Sequence, residues 1–243
     1  IGDTSSRWLR DVAGARREQR IPTAPSLVAA LDQSVLMLVN GELQRFDGAR
    51  LSPIAYPSDG DPLIVGLAAD RPDTMWLTTR VSRYGHLRVR RHGAQGLSDP
   101  VLVDAREPAL SPAGNELAFA QQVGERFQLV VARYDGSTVG ARRQLTRGDG
   151  HIAYPTWSPS GRALVFVNRP VRDFMQFSQY YGRVHLWLVP AQGGAAIQLT
   201  RGGSLQLERP LWARDGIWFI ANTAATPSQR CVWRLALEPS LGE

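Results

Sequence analysis

PTWSPSGRALVFV, residues Pro155 to Val167, decides the fold, because two other stretches repeat its grammar. PALSPAGNELAFA starts 47 residues earlier at Pro108, and PLWARDGIWFIA starts 55 residues later at Pro210. Each opens with a proline, which lacks a ladder donor and suits the start of a strand. Ser-Pro-x-Gly then makes a turn: Pro112 and Pro159 preset φ, and Gly114 and Gly161 tolerate the left-handed region. LAFA, LVFV and IWFI come next as near-continuous apolar runs, the pattern of a strand buried on both faces.

The segments after each anchor recur too. FQLVVARYDG and RRQLTRG come after the first, VHLWLVPAQGG and AIQLTRG after the second, and CVWRLALEP after the third. Asp135-Gly136 and Gly193-Gly194 are hairpin signals closing the third strand, and QLT is a shorter, more polar fourth strand. Four antiparallel strands in a unit of roughly 45 residues, repeated, is the pattern of propeller blades. The fold class expected is all-β: a β-propeller of four-stranded antiparallel blades.

The units SPAG…LAFA…YDG…QLT and YPTWSPSGRALVFV…QGG…QLTRG resemble the TolB-type, WD-repeat-like blade, found in TolB and in propellers attached to prolyl oligopeptidases. That family's first turn reads Ser-Pro-Asp-Gly. Here Ala113 and Ser160 stand in for the Asp, and the third unit has a shifted Arg214-Asp215-Gly216. The resemblance covers residues Pro108 to Leu237, about half the chain.

Residues 25–52 (SLVAALD, SVLMLVN, ELQRFDG, ARL) and 54–104 (PLIVGLAAD, TMWLTTR, HLRVRRH, DPVLVD) supply two more degenerate sets of four strands. Five blades are countable, and a ring of five or six is expected. Residues 23–243 form the propeller domain on this division. Residues 1–22 precede it as a helix, a linker or a ring-closing strand. Trp8, Leu9, Val12 and Ala13 fall at helical spacing behind a Ser cap, which favours the helix or linker.

The charge pattern bears on partners. The net charge is +6, yet all 28 basic residues are arginine. Total replacement of lysine has the character of a composition bias rather than of a phosphate-binding face. The densest cluster is Arg80, Arg83, Arg88, Arg90 and Arg91. In HLRVRR, Leu87 and Val89 alternate with His86, Arg88 and Arg90, as in a strand with one wet face. Nucleic acid is not the expected partner. No apolar run approaches the ~20 residues that span a bilayer. The single cysteine, Cys231, excludes an intrachain disulfide. A start at Ile1 is expected of a processed or trimmed product, so membrane association is expected only through a removed anchor or a partner.

Chemistry-bearing motifs are sparse. Gly-x-Ser-x-Gly, His-Glu-x-x-His and Cys-x-x-Cys do not occur in the sequence. His86, His92, His151 and His185 are scattered and read as surface or strand-end residues. SDGDP (58–62) and RGDG (147–150) lack the spaced ligands of a calcium loop and read as turns. Trp157 and Trp212 hold equivalent repeat positions and read as structural. No catalytic residue, metal or cofactor is assigned, and the chain is expected not to be an enzyme.

One departure from the repeat stands out. Phe119 to Leu129 spans ten residues, but the equivalent Phe166 to Leu186 spans twenty. The excess is VRDFMQFSQYYG, residues 171–182, at the link between the second and third strands. In propellers that link shares a rim with the links between blades, the rim that most often meets ligands. Arg172, Phe174, Phe177, Tyr180, Tyr181 and Arg183 are the partner-binding candidates, having the composition of an interface hot spot. The three-residue spacing of Phe174, Phe177 and Tyr180 also fits a turn packed on its own blade, and both readings stay open.

The resemblance implies a protein-binding scaffold, periplasmic or secreted, including the lipoprotein form, with an envelope protein as partner. Two alternatives remain: an accessory domain of a larger hydrolase of prolyl-oligopeptidase type, and a binder of small ligands or carbohydrate.

Overall fold

The computed structural model describes residues 6–12, 15–21, 27–30, 35–39, 42–46, 50–54, 63–71, 74–80, 86–93, 95–170, 184–201, 206–222 and 231–236. All described regular structure is β, arranged as antiparallel blades of propeller type. The chain divides into two compact units, residues 1–100 and 101–243.

The first unit opens with β1 (Ser6–Val12) and β2 (Ala15–Ile21), paired antiparallel as a two-stranded sheet. The helix favoured by the spacing of Trp8, Leu9 and Val12 is therefore corrected: these residues are extended. Two blades come next. The first runs β3 (Leu27–Ala30), β4 (Val35–Val39), β5 (Glu42–Phe46), β6 (Leu51–Pro53), and the second β7 (Leu63–Arg71), β8 (Thr74–Arg80), β9 (Leu87–Gly93), β10 (Gly96–Leu97). Leu36, Leu43, Leu67, Met75 and Leu77 pack between them. The arginine-rich HLRVRR is strand β9, with Val89 buried. Arg90 Nη1 reaches the Ser98 carbonyl at 3.2 Å, so part of the basic cluster is tied to its own blade. Arg83 lies outside the described residues.

The second unit begins with the short β11 (Leu102–Val103) and carries the repeat. Its blades are β12 (Ala105–Leu110), β13 (Glu116–Val123), β14 (Arg126–Tyr134), β15 (Val139–Gln144); then β16 (Gly150–Trp157), β17 (Ala163–Pro170), β18 (His185–Pro190), β19 (Ile197–Gln198); then β20 (Gln206–Ala213), β21 (Gly216–Asn222), β22 (Cys231–Leu235). The last is three-stranded among the described residues. Counting both units, five blades are described. LAFA and LVFV are buried throughout as expected, with Phe119, Leu164 and Phe166 at 0–1% exposure, whereas in IWFI Ile217 and Phe219 are buried and Trp218 and Ile220 are half-buried.

The repeated motifs do identical work in successive blades. Ser111 Oγ accepts from Glu116 N at 3.0 Å, and Ser158 Oγ accepts from Ala163 N at 3.1 Å. Gly114 and Gly161 close the same turns at φ 74° and 73°. In the QLT strand, Thr146 Oγ1 accepts the Leu129 amide at 2.9 Å and Thr200 Oγ1 the Leu186 amide at 3.1 Å. Blades are stapled to each other as well. Trp157 Nε1 donates to the Ala109 carbonyl at 2.9 Å, and Arg143 Nη2 donates to that of Ala191 at 2.8 Å. Trp157 and Trp212 are both buried, in agreement with a structural role.

Candidate functional site

Of the first strands of the three repeat blades, β16 packs against both β12 and β20. Each is broken at the same place. Register slips between Arg106 and Ala109, between Ala153 and Thr156, and between Glu208 and Leu211. The residue before each anchor proline sits in the left-handed region: Glu107 at φ 54°, Tyr154 at 52°, Arg209 at 50°. Non-glycine residues adopt this conformation at a cost of about 1–3 kcal/mol, and it recurs mostly where structure or function requires it. A bulge re-aims the side chain it carries. Three consecutive blades thus present an acid, a phenol and a guanidinium from equivalent positions.

These residues meet. Glu107 Oε2 accepts the Tyr154 amide at 2.6 Å across the blade junction. The Tyr154 ring has the Arg169 guanidinium 5.5 Å from its centroid and that of Arg209 at 5.7 Å. Burial, reinforced by the Glu107 and Glu208 carboxylates, pushes the Tyr154 phenol above its usual range, so it stays a neutral donor.

A second group adjoins the first. The Arg106 guanidinium lies 4.1 Å over the Phe127 ring, and its Nη2 donates to the Ile152 carbonyl at 3.4 Å. The Phe127 amide donates to His151 Nδ1 at 3.3 Å. His151 pairs in register with Arg169. Burial holds its imidazole below the ordinary histidine range, and the charges of Arg106, Arg126 and Arg169 add to the effect. Arg126 is paired to the exposed Asp149 of RGDG at 2.5 Å. His185 Nδ1 lies 3.3 Å from Thr200 Oγ1, the place that Gln128 occupies against Thr146 one blade earlier.

The register locates the long connection relative to this group. Gly150 pairs with Pro170 and His151 with Arg169, whereas Trp157 pairs with Leu164 beside the Ser-Pro-Ser-Gly turn. The link between β17 and β18 therefore leaves from the His151–Arg169 end of the sheet, opposite the turn. In the preceding blade the same link is only Gly124 and Glu125, between the paired Val123 and Arg126. Arg172, Phe174, Phe177, Tyr180, Tyr181 and Arg183 themselves lie outside the described residues, as does SDGDP.

Glu107, Tyr154 and Arg209 were not among the residues singled out by sequence. Their signal was present: each is a polar residue immediately before an anchor proline. Arg106, His151 and Arg169 carry no comparable signature, because tertiary packing alone gathers them.

No family model matches the chain. In sequence it is similar to the uncharacterized peptidase YuxL of Bacillus subtilis (strain 168), 27% identical over 119 residues. That match takes in 47% of this chain and 16% of the relative, so the chain spans about a sixth of that protein's length. In structure it is similar to a putative TolB from Agrobacterium tumefaciens, with a TM-score of 0.70 and 16% identity over 92% of this chain and 81% of that one. It is also similar to a gluconolactonase from Xanthomonas campestris, with a TM-score of 0.63 and 15% identity over 89% and 73%. At these identities the structural likeness establishes the fold, a TolB-like propeller. The expectation that the chain is not an enzyme is overturned by the same matches, since a peptidase stands among its sequence relatives and a gluconolactonase among its structural neighbours. Among the described residues no helix is long and apolar enough to cross a membrane.

Proposed function

We propose that this chain is a polypeptide-recognising β-propeller whose contact surface is the end of the fourth blade that carries His151, Tyr154, Arg169 and the connection 171–183. One observation carries the reading: the Tyr154 ring, at the bulge of β16, has two guanidiniums within 5.7 Å of its centroid, and one of them, Arg169, pairs with His151 next to the end of the sheet from which the long connection leaves. Tyrosine and arginine dominate the energetics of protein contacts, because they combine large rigid area with directional donors. Arg172, Phe174, Phe177, Tyr180, Tyr181 and Arg183 extend the same surface in this proposal. The TolB-like fold supports an exported, envelope-associated setting with a protein partner, although fold alone does not assign function.

The likeness to a peptidase favours a second reading. Here the propeller recognises substrate for a hydrolase, and this sequence contains no nucleophile elbow of its own. Both readings share the contact surface and differ in what is attached to it.

The test is site-specific photo-crosslinking in the native host. A crosslinking residue at Gln179 is expected to capture a discrete polypeptide, and one at Ser160, on the opposite turn, is not. Equal capture at both positions, or at neither, would sink the proposal. The mass of the adduct separates a free-standing partner from a hydrolase substrate.

A further inference from the structure

We infer that the contact surface contains a carboxylate-binding fork, formed by Arg106 and Arg169, that recognises an acidic group of the bound polypeptide. The inference rests on the polypeptide-recognition function proposed for that surface and specifies its chemistry.

Three arginines of the second unit carry carboxylate partners. Arg126 is paired to Asp149 at 2.5 Å, Arg143 to Glu116 at 3.3 Å and Arg234 to Asp215 at 3.3 Å. Arg106 and Arg169 have no carboxylate partner among the described residues. Each is held instead by an aromatic ring, Phe127 at 4.1 Å and Tyr154 at 5.5 Å. A guanidinium placed over a ring is fixed in orientation while its N–H edge stays available, the arrangement that suits planar, bidentate capture of a carboxylate.

Arg106 carries a second mark. Its Nη2 is engaged by the Ile152 carbonyl, but its Nε is buried without a hydrogen-bond partner. The Nε–H is thus a donor left unmade in the folded chain, at a cost in free energy. Arg106 Nη2 reaches the Ile152 carbonyl, and the preceding residue, His151, pairs in register with Arg169, which puts the two arginines in one neighbourhood. The acids nearby are Glu107, which accepts the Tyr154 amide, Asp149, paired to Arg126, and Glu208, whose charge acts on Tyr154.

The probes are Ac-Glu-Glu-Glu-NH2, the matched Ac-Gln-Gln-Gln-NH2 and inorganic phosphate, titrated into the full chain by calorimetry and amide NMR at one ionic strength. The glutamate peptide is expected to bind saturably and shift the His151 and Tyr154 amides. The glutamine peptide is expected not to bind, and phosphate to bind more weakly than the glutamate peptide. Arg106→Gln and Arg169→Gln should each weaken the glutamate peptide by at least about tenfold, the usual scale for losing a charge-assisted bond. Should either variant melt early, Arg→Lys at that position replaces it. Lysine keeps the charge, loses the fork, and is still expected to weaken binding.

Equal binding of the two peptides overturns the fork while leaving the polypeptide surface intact. Phosphate binding as tightly as the glutamate peptide, or no binding by any probe, overturns it too. Failure of the surface itself is read separately, from the crosslinking pattern.

Discussion

The backbone amide of Phe127, in one blade, donates to the Nδ1 of His151, in the next, at 3.3 Å. A nitrogen that accepts cannot carry a proton, so the neutral imidazole holds its hydrogen on Nε2, and protonation breaks a bond between blades. The blade junction is therefore pH-sensitive by construction.

The direction of that sensitivity comes from linkage. Burial first, then Arg106, Arg126 and Arg169, hold the folded His151 below its ordinary value of 6.5. As pH falls through 6.5 the unfolded chain takes up this proton before the folded one does. The stabilisation is thus complete above 6.5 and is lost as pH drops toward the folded value. The NMR midpoint of the His151 ring is expected below 6.5, and His151→Gln should flatten the melting profile across that window. His185, also held low by burial, contributes in the same sense and remains in the variant. A His151 midpoint at or above 6.5 contradicts the geometry.

Thr146 is the next lever. Its hydroxyl accepts the Leu129 amide at 2.9 Å and donates to the buried Gln128 Oε1 at 2.8 Å. Thr146→Val keeps the shape but strands both groups, at a cost of about 1–3 kcal/mol each when no water replaces the hydroxyl. Urea unfolding should show a loss in that range, and Thr146→Ser should recover most of it. An unchanged midpoint for the valine variant would remove the QLT threonine from the structural account of the repeat.

Gly150 marks the start of β16, where a Cβ would fall on the Asn168 side-chain oxygen. Gly150→Ala is expected to destabilise by roughly 1–3 kcal/mol, the usual scale of overpacking. Because the obstacle is a side chain, Asn168→Ala should relieve much of the loss in the double variant. Additive losses in that double-mutant cycle would place the strain in the backbone instead.

For the connection 171–183, replacing Phe174, Phe177 and Tyr181 together by alanine is expected to leave the melting temperature nearly unchanged and to abolish crosslinking from Gln179. Truncating a buried aromatic costs about 3–5 kcal/mol. A fall of several degrees would therefore assign these residues to packing on their own blade.

Legibility from sequence tracked the range of the interactions. Pro155 to Val167 and its two copies carry the fold locally, since the turn chemistry at Ser158–Gly161 and the apolar run after it act within a few residues. The equivalence of Trp157 and Trp212 was visible for the same reason. For residues 6–21 the helical spacing of Trp8, Leu9 and Val12 favoured a helix or linker over the strand that also stood open. A strand is selected by the partner it finds, here β2 in the register Trp8 opposite Gln19. The long connection was legible as an insertion, and the register of β16 against β17 showed which end of the sheet it leaves.

Sequence alone determined the repeat, the blade and the position of the interrupted link, because propensity, proline and glycine placement and hydrophobic period all operate along the chain. Only the tertiary structure decided that Arg106, His151, Tyr154, Arg169 and Arg209 share one neighbourhood. Three bulges re-aim residues that are about 50 positions apart, and packing between the first strands of the blades, not any local rule, brings their charges together.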